Sequence, residues 1–128
     1  MPTRHDIIVQ FPHILERMQS KATQLGKVGV AVIGVLGHDR SLQSLSRDCG
    51  KMSADQWNFL AVAFSKVAEM CDTFSDSGSQ VREIYTGEFG YVGGAIRVID
   101  DGHVIAAFSG ATGEEDLAIS LAGLDGMS

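Results

Sequence analysis

The sequence predicts an α+β domain: an antiparallel sheet of about four to five strands with helices packed on it, ordered helix, hairpin, helix, hairpin, helix. Three observations carry this expectation. Apolar residues recur at helical spacing near the N-terminus and again in the middle of the chain. Two Val- and Ile-rich, Gly-laced runs each lead into a turn and a second strand-like run. Between the last such run and a final apolar segment stands TGEE, the signature of a capped helix start.

In PHILERMQSKATQLG, Ile14, Leu15, Met18, Ala22 and Leu25 share one face. Pro12 suits a first turn and Gly26 the position past the end, so a helix is expected over about 12 to 25. The preceding DIIVQF reads equally as an extension of that helix or as a short arm. VGVAVIGVLGHDR has no polar residue before His38 and reads as a buried strand from Val28 to Leu36. Gly37, His38 and Asp39 supply its turn, and SLQSLSR returns as a more polar strand anchored by Leu42 and Leu45.

GKMSADQWNFLAVAFSKVAEMCDTF reads as the clearest helix. Ser53 and Gln56 fit a capping box, and Trp57, Leu60, Ala61, Phe64, Val67, Ala68 and Cys71 make a broad apolar stripe. SDSGSQ breaks it, and SQVREIY reads as a short helix or turn. In GGAIRVIDDGHVIAAF the period changes to strand, turn, strand, with Asp101 and Gly102 expected at the two left-handed turn positions. EEDLAISLAGL closes the chain as a short helix.

A chain of 128 residues, 45% hydrophobic, is enough for one domain with a real core. A formal charge of -6, with basic residues scattered, argues against a nucleic-acid partner. No apolar stretch approaches a membrane span, the N-terminus lacks a signal-peptide pattern, and Cys49 and Cys71 have no CxxC spacing. A cytoplasmic protein with reduced thiols and no membrane partner is the expectation. Neither GxGxxG after the first strand nor a P-loop is present, which excludes the common nucleotide cradles.

The stretch SGATGEED, Ser109 to Asp116, admits two readings. Thr112 and Glu115 make a capping box with acids in the first turn, where the helix dipole favours them. Alternatively, the loop's backbone N–H groups form a nest for an anion, although three neighbouring acids would repel it. His5, His13, His38 and His103 form no HxH, HExxH or His-Cys cluster, so no metal site is predicted. Adjacent His38 and Asp39 do not aim at one proton. Cys49, ahead of the expected central helix start and Lys51, is either a thiol of lowered pKa or a plain buried one. Lys66 either neutralises a ligand carboxylate or snorkels to water.

The run GGAIRVIDDGHVIAAFSGATGEEDLAISLAGL resembles the GlcG/HbpS-like family, which also occurs as the C-terminal domain of PduO-type proteins. The matching residues are Gly93, Gly94, Asp101, Gly102, Ser109, Gly110, Gly113, Asp116 and Ala122-Gly123-Leu124. LGKVGVAVIGVLGHD resembles the family's first strand, and FSKVAEM its central-helix pattern, with Glu69 in place of the usual Thr. The chain departs in having no proline after the double glycine and no methionine-Asp-Gly-Ala run before the central helix.

The resemblance implies a homo-oligomer built on a small domain and an accessory role in binding a cofactor or metabolite, with haem as the family's example. It places the binding site near Gly93, Gly94 and the loop of Ser109, Gly110, Thr112, Gly113 and Asp116, with Lys66 close by. Were haem bound, His13 and His38 would be its first ligand candidates. Two other readings stand beside this one. The first is an enzyme acting on a small organic acid or aldehyde through Lys66 or Asp116, and the second an interaction module without a small ligand.

Overall fold

A computed structural model describes residues 1–127 and shows the expected α+β class. Helix α1 (Arg4–Gln24) leads into the hairpin β1 (Gly29–Gly37) and β2 (Leu42–Cys49). A two-residue-per-strand hairpin, β3 (Ser53–Ala54) and β4 (Trp57–Asn58), precedes α2 (Phe59–Thr73). A long loop then reaches β5 (Gly94–Ile99), β6 (Gly102–Ser109) and α3 (Gly113–Asp125). The main sheet has four antiparallel strands in the order β2-β1-β6-β5, so the two hairpins join along their β1 and β6 strands.

This topology explains why VGVAVIGVL shows no alternation. Ala31, Ile33 and Val35 face one layer with Val104, Ala106 and Phe108, and pack on α1 and α3. Val30, Val32 and Leu36 face the other with Ile105 and Ala107, and pack on α2. A strand covered on both faces has no polar side. Edge strand β2 has no such cover: Leu42 and Leu45, expected as anchors, are 43% and 45% exposed.

Several boundaries differ from the sequence expectation. Of the two readings of DIIVQF the extension is the one observed: helix α1 begins at Arg4 and carries Pro12 in its interior, on the solvent side, and not in its first turn. Thr3 and Asp6 form a reciprocal capping box there, and burial of Ile7 and Phe11 offsets the hydrogen bond that Pro12 removes. Ser53 and Gln56 do not cap α2. They lie at the small hairpin, with Gln56 at φ 69°, and Asn58 caps the helix by accepting from the Ala61 N–H at 3.0 Å. Trp57 therefore stands off the helix.

The face of α2 that meets the sheet also differs. Phe59, Val62, Ala63, Lys66, Val67 and Met70 are buried, whereas Ala61, Phe64 and Ala68 look outward. The run FLAVAF is apolar all round and leaves the phase of the helix open, and a lysine in the buried stripe hides it. No helix forms over 79–85, which is a bent loop. The β5–β6 turn falls at Asp100 and Asp101, one residue earlier than expected, with Ile99 opposite Gly102. Of the turn residues only Gly102 has positive φ, at 154°, and a Cβ there would run into the Leu36 carbonyl.

The loop from Phe74 to Gly93 is held at several points. Arg82 bridges Asp72 and Glu88, holding the Glu88 carboxyl down at about 2. Glu69 accepts from the Gly78 N–H at 2.8 Å, and Asp76 from the Ile96 N–H at 3.0 Å. Farther along the same loop, Val92 lies against Gly78 and against Gly113 at the start of α3. The corrected start of α2 makes a discriminating prediction. Asn58→Ala should destabilise the protein by about 1 kcal/mol, whereas Ser53→Ala should change stability by less than about 0.5 kcal/mol. Urea unfolding of the two variants measures both.

Candidate functional site

Strand β6 ends on Ser109, and the chain turns through Gly110 and Ala111 before Thr112 caps α3. Thr112 and Glu115 form the expected capping box: the Glu115 N–H donates to Thr112 Oγ1 at 3.2 Å, and the Thr112 N–H to Glu115 Oε1 at 3.3 Å. The nest reading has a different outcome from a bound anion. The Ala111 N–H donates to Asp116 Oδ1 at 3.0 Å, so the carboxylate gripped by the loop is the protein's own.

The other oxygen of Asp116 meets Lys66. Lys66 Nζ donates to Asp116 Oδ2 at 2.9 Å and to the Phe108 carbonyl at 2.8 Å. Lys66 is 2% exposed and Asp116 4%, which makes them a buried ion pair joining α2, the end of β6 and the first turn of α3. An ammonium has three N–H donors. Two are used by these acceptors, and the third has no protein acceptor among the described residues. Burial lowers the Lys66 pKa against the attraction of Asp116. Burial likewise raises the Asp116 carboxyl to about 6, with Lys66 and the Ala111 N–H pulling the other way.

Gly93 makes room for the pair. Its φ is +138°, and a Cβ on it would press on Lys66 Nζ and Asp116 Cβ. Ser120, buried on α3, donates to the Gly93 carbonyl at 2.6 Å and pins that backbone in place. Gly94 has another job: it opens β5, and its N–H donates to Ser77 Oγ at 2.8 Å while Met70 packs against it.

Above the pair lies an open cleft of about 490 Å³. Lys66, Asp116, Ser109, Gly110, Thr112 and Gly113 line it. Further walls, not foreseen at this site from the sequence, are Phe59 and Val62 of α2, Trp57 and Asp55 of the small hairpin, Tyr91 and Val92 of the long loop, and Lys27. Trp57 and Tyr91 touch with ring centroids 5.9 Å apart, and Phe89 extends the cluster. The three acids of GEED do not charge this cleft strongly, and Glu114 is exposed outside its lining. Asp116 is paired with Lys66, and Glu115 caps Thr112 and lies 3.7 Å from Lys27.

His13 and His38 are not part of this site. His13 is on the solvent side of α1, and His38 is exposed in the β1–β2 turn. That turn lies at the end of β1 paired with the start of β6, the end opposite Ser109. The lining of the cleft contains no histidine, cysteine or methionine. No cluster of three metal-ligating side chains occurs among the described residues. Cys49 lies at the buried end of β2, not at a helix start, and burial raises its thiol pKa instead of lowering it.

The raised carboxyl gives a pH signature. In the unfolded chain Asp116 releases its proton near 3.8, in the folded protein near 6. Between those values the folded state holds more protons, so this group's contribution makes stability fall as pH rises through the window. Asp116→Asn removes the titration. The wild type should lose stability relative to Asp116→Asn between about pH 4 and 6.5, measured by urea unfolding at a series of pH values.

No family model matches the sequence, and no curated protein matches it. Among solved structures, the crystal structure of Klebsiella pneumoniae protein ORFY, of the family DUF336, is similar over 97% of this chain and 88% of that one. The TM-score is 0.61 and the sequence identity 16%. The two proteins share a fold.

Proposed function

We propose that this protein is an accessory small-metabolite-binding domain of the GlcG/HbpS-like kind, whose ligand lies in the cleft above Lys66 and Asp116. The observation that carries the reading is the free third N–H of a buried ammonium at the floor of an otherwise largely apolar cleft. A buried donor without an acceptor is costly, and a ligand oxygen would satisfy it. The ligand class that matches is a small compound with a carboxylate or carbonyl oxygen for Lys66. Its carbon frame would rest against Val62, Val92, Trp57 and Tyr91.

For haem, which the resemblance suggests, the lining offers no histidine, cysteine or methionine, and the Tyr91 phenol is its one side chain of a usual axial-ligand type. His13 and His38 would serve haem only at other surfaces. Self-association belongs to the proposal as well. Leu42 and Leu45 on edge strand β2, and Ile84, Tyr85 and Phe89 on the long loop, are large apolar side chains left exposed by a single chain. Light scattering behind size-exclusion chromatography should give a mass above 13.7 kDa.

Small carboxylates and oxo acids, among them glycolate, lactate and pyruvate, should raise the melting temperature in a saturable way. Trp57→Ala should weaken binding about tenfold, the loss of one aromatic contact. Because Trp57 is 52% exposed, the ligand-free melting temperature of that variant should stay near the wild-type value. A screen with no saturable shift, beside a saturable Soret change on titration with hemin, would overturn the metabolite reading.

A further inference from the structure

We propose that Lys66 is an imine-forming residue: its Nζ condenses with the carbonyl carbon of a small aldehyde or 2-oxo acid held in the cleft, and Asp116 carries the protons. The proposal rests on the binding reading above and adds chemistry to it. Three features of the site carry it. The chain has four lysines, and Lys66 alone is buried; Lys21 and Lys27 are half-buried, and Lys51 is exposed. Lys66 lines the cleft while only 2% exposed, so its amine is shielded from bulk water, and such shielding favours condensation over hydrolysis. A carboxylate stands 2.9 Å from the amine, within direct proton-transfer distance.

An ammonium has no lone pair, so the first event is transfer of one Nζ proton to Asp116 Oδ2. Burial favours this transfer on both sides, since it lowers the Lys66 pKa and raises that of Asp116. The neutral amine then attacks the carbonyl carbon: a C–N bond forms and the carbonyl π pair moves to oxygen. One proton shifts from nitrogen to that oxygen to give a neutral carbinolamine. Asp116 returns its proton to the hydroxyl, the C–O bond breaks and water leaves. The product is a protonated imine beside the Asp116 carboxylate. The balance is ammonium plus carbonyl giving iminium plus water, with no oxidant or reductant consumed. The pair is neutral overall before and after the step, so no net charge is left buried.

The test uses the full chain with pyruvate or acetaldehyde and sodium cyanoborohydride, followed by peptide mass mapping. Reduction traps an imine as a stable secondary amine on the lysine that formed it. Lys66 should be modified at least about tenfold faster than Lys21, Lys27 or Lys51, the gap expected when one amine gains a base and a dry site. Lys66→Arg should abolish the modification of its peptide. Asp116→Asn should slow labelling at position 66 while leaving the other three lysines unchanged.

The comparison among lysines within the wild-type molecule holds even if a variant folds poorly. Lactate, which lacks the carbonyl, reports binding alone through its thermal shift. A lactate shift with Lys66 modified no faster than the other lysines overturns imine formation and leaves binding intact. Neither shift nor modification overturns both. Rapid labelling at Lys66 that is unaffected in folded Asp116→Asn overturns the role given to Asp116.

Discussion

The Lys66–Asp116 ion pair is the contact around which the functional end of the molecule is organised. An isolated buried charge is strongly disfavoured, so an ammonium on the sheet-facing side of α2 demands a partner of opposite sign and further hydrogen bonds. Asp116 provides the charge and the Phe108 carbonyl a second acceptor. Asp116 can reach inward because α3 starts where β6 ends, and Ala111 turns its N–H onto the second carboxylate oxygen. Gly93 must be glycine for the backbone to pass so close. One ion pair in the core thus ties together two helices and a strand end, with a loop passing close over it.

The same pair gives the cleft its chemical character. With Asp116 turned inward, Glu115 engaged by Thr112 and Lys27, and Glu114 exposed outside the lining, an acidic stretch of sequence puts little free negative charge into the cleft. Apolar and aromatic side chains form most of the remaining walls, drawn from the β3–β4 hairpin, the first turns of α2 and the loop before β5. The long loop is an ordered wall here, since Arg82, Glu69, Ser77 and Asp76 tie it to α2 and β5. A site assembled this way discriminates by shape and by one polar contact at its floor.

Much of the fold was legible because it depends on local patterns. Doubly covered strands are continuously apolar, and Thr112 with Glu115 marks a helix start through geometry that involves only neighbouring residues. The elements that escaped depend on distant partners. Pro12 signalled a helix start, yet the helix begins earlier because Ile7 and Phe11 find a core. Ser53 and Gln56 match a capping box in sequence, but a short hairpin forms there and hands the cap to Asn58. The resemblance put Lys66 and Asp116 near one site, but nothing local shows that they meet across 50 positions. Trp57 was read into the apolar stripe of the central helix and Tyr91 carried no signal, because an exposed aromatic becomes a wall only once another segment faces it. The histidines drew attention by residue type alone, and the fold leaves His13 and His38 on other surfaces.

A double-mutant cycle on the buried pair tests the central claim most directly. Unfolding free energies would be measured for Lys66→Met, Asp116→Leu and the double variant at pH 7.5, above the Asp116 titration. Each single change should cost about 3 kcal/mol or more, because it strands the other charge in the core. The double variant should cost far less than their sum, since an apolar pair of similar volume needs no partner. Single changes that each cost under about 1 kcal/mol and add in the double variant would show that the two charges are not coupled. In that case the pair would not be the contact that organises this end of the fold.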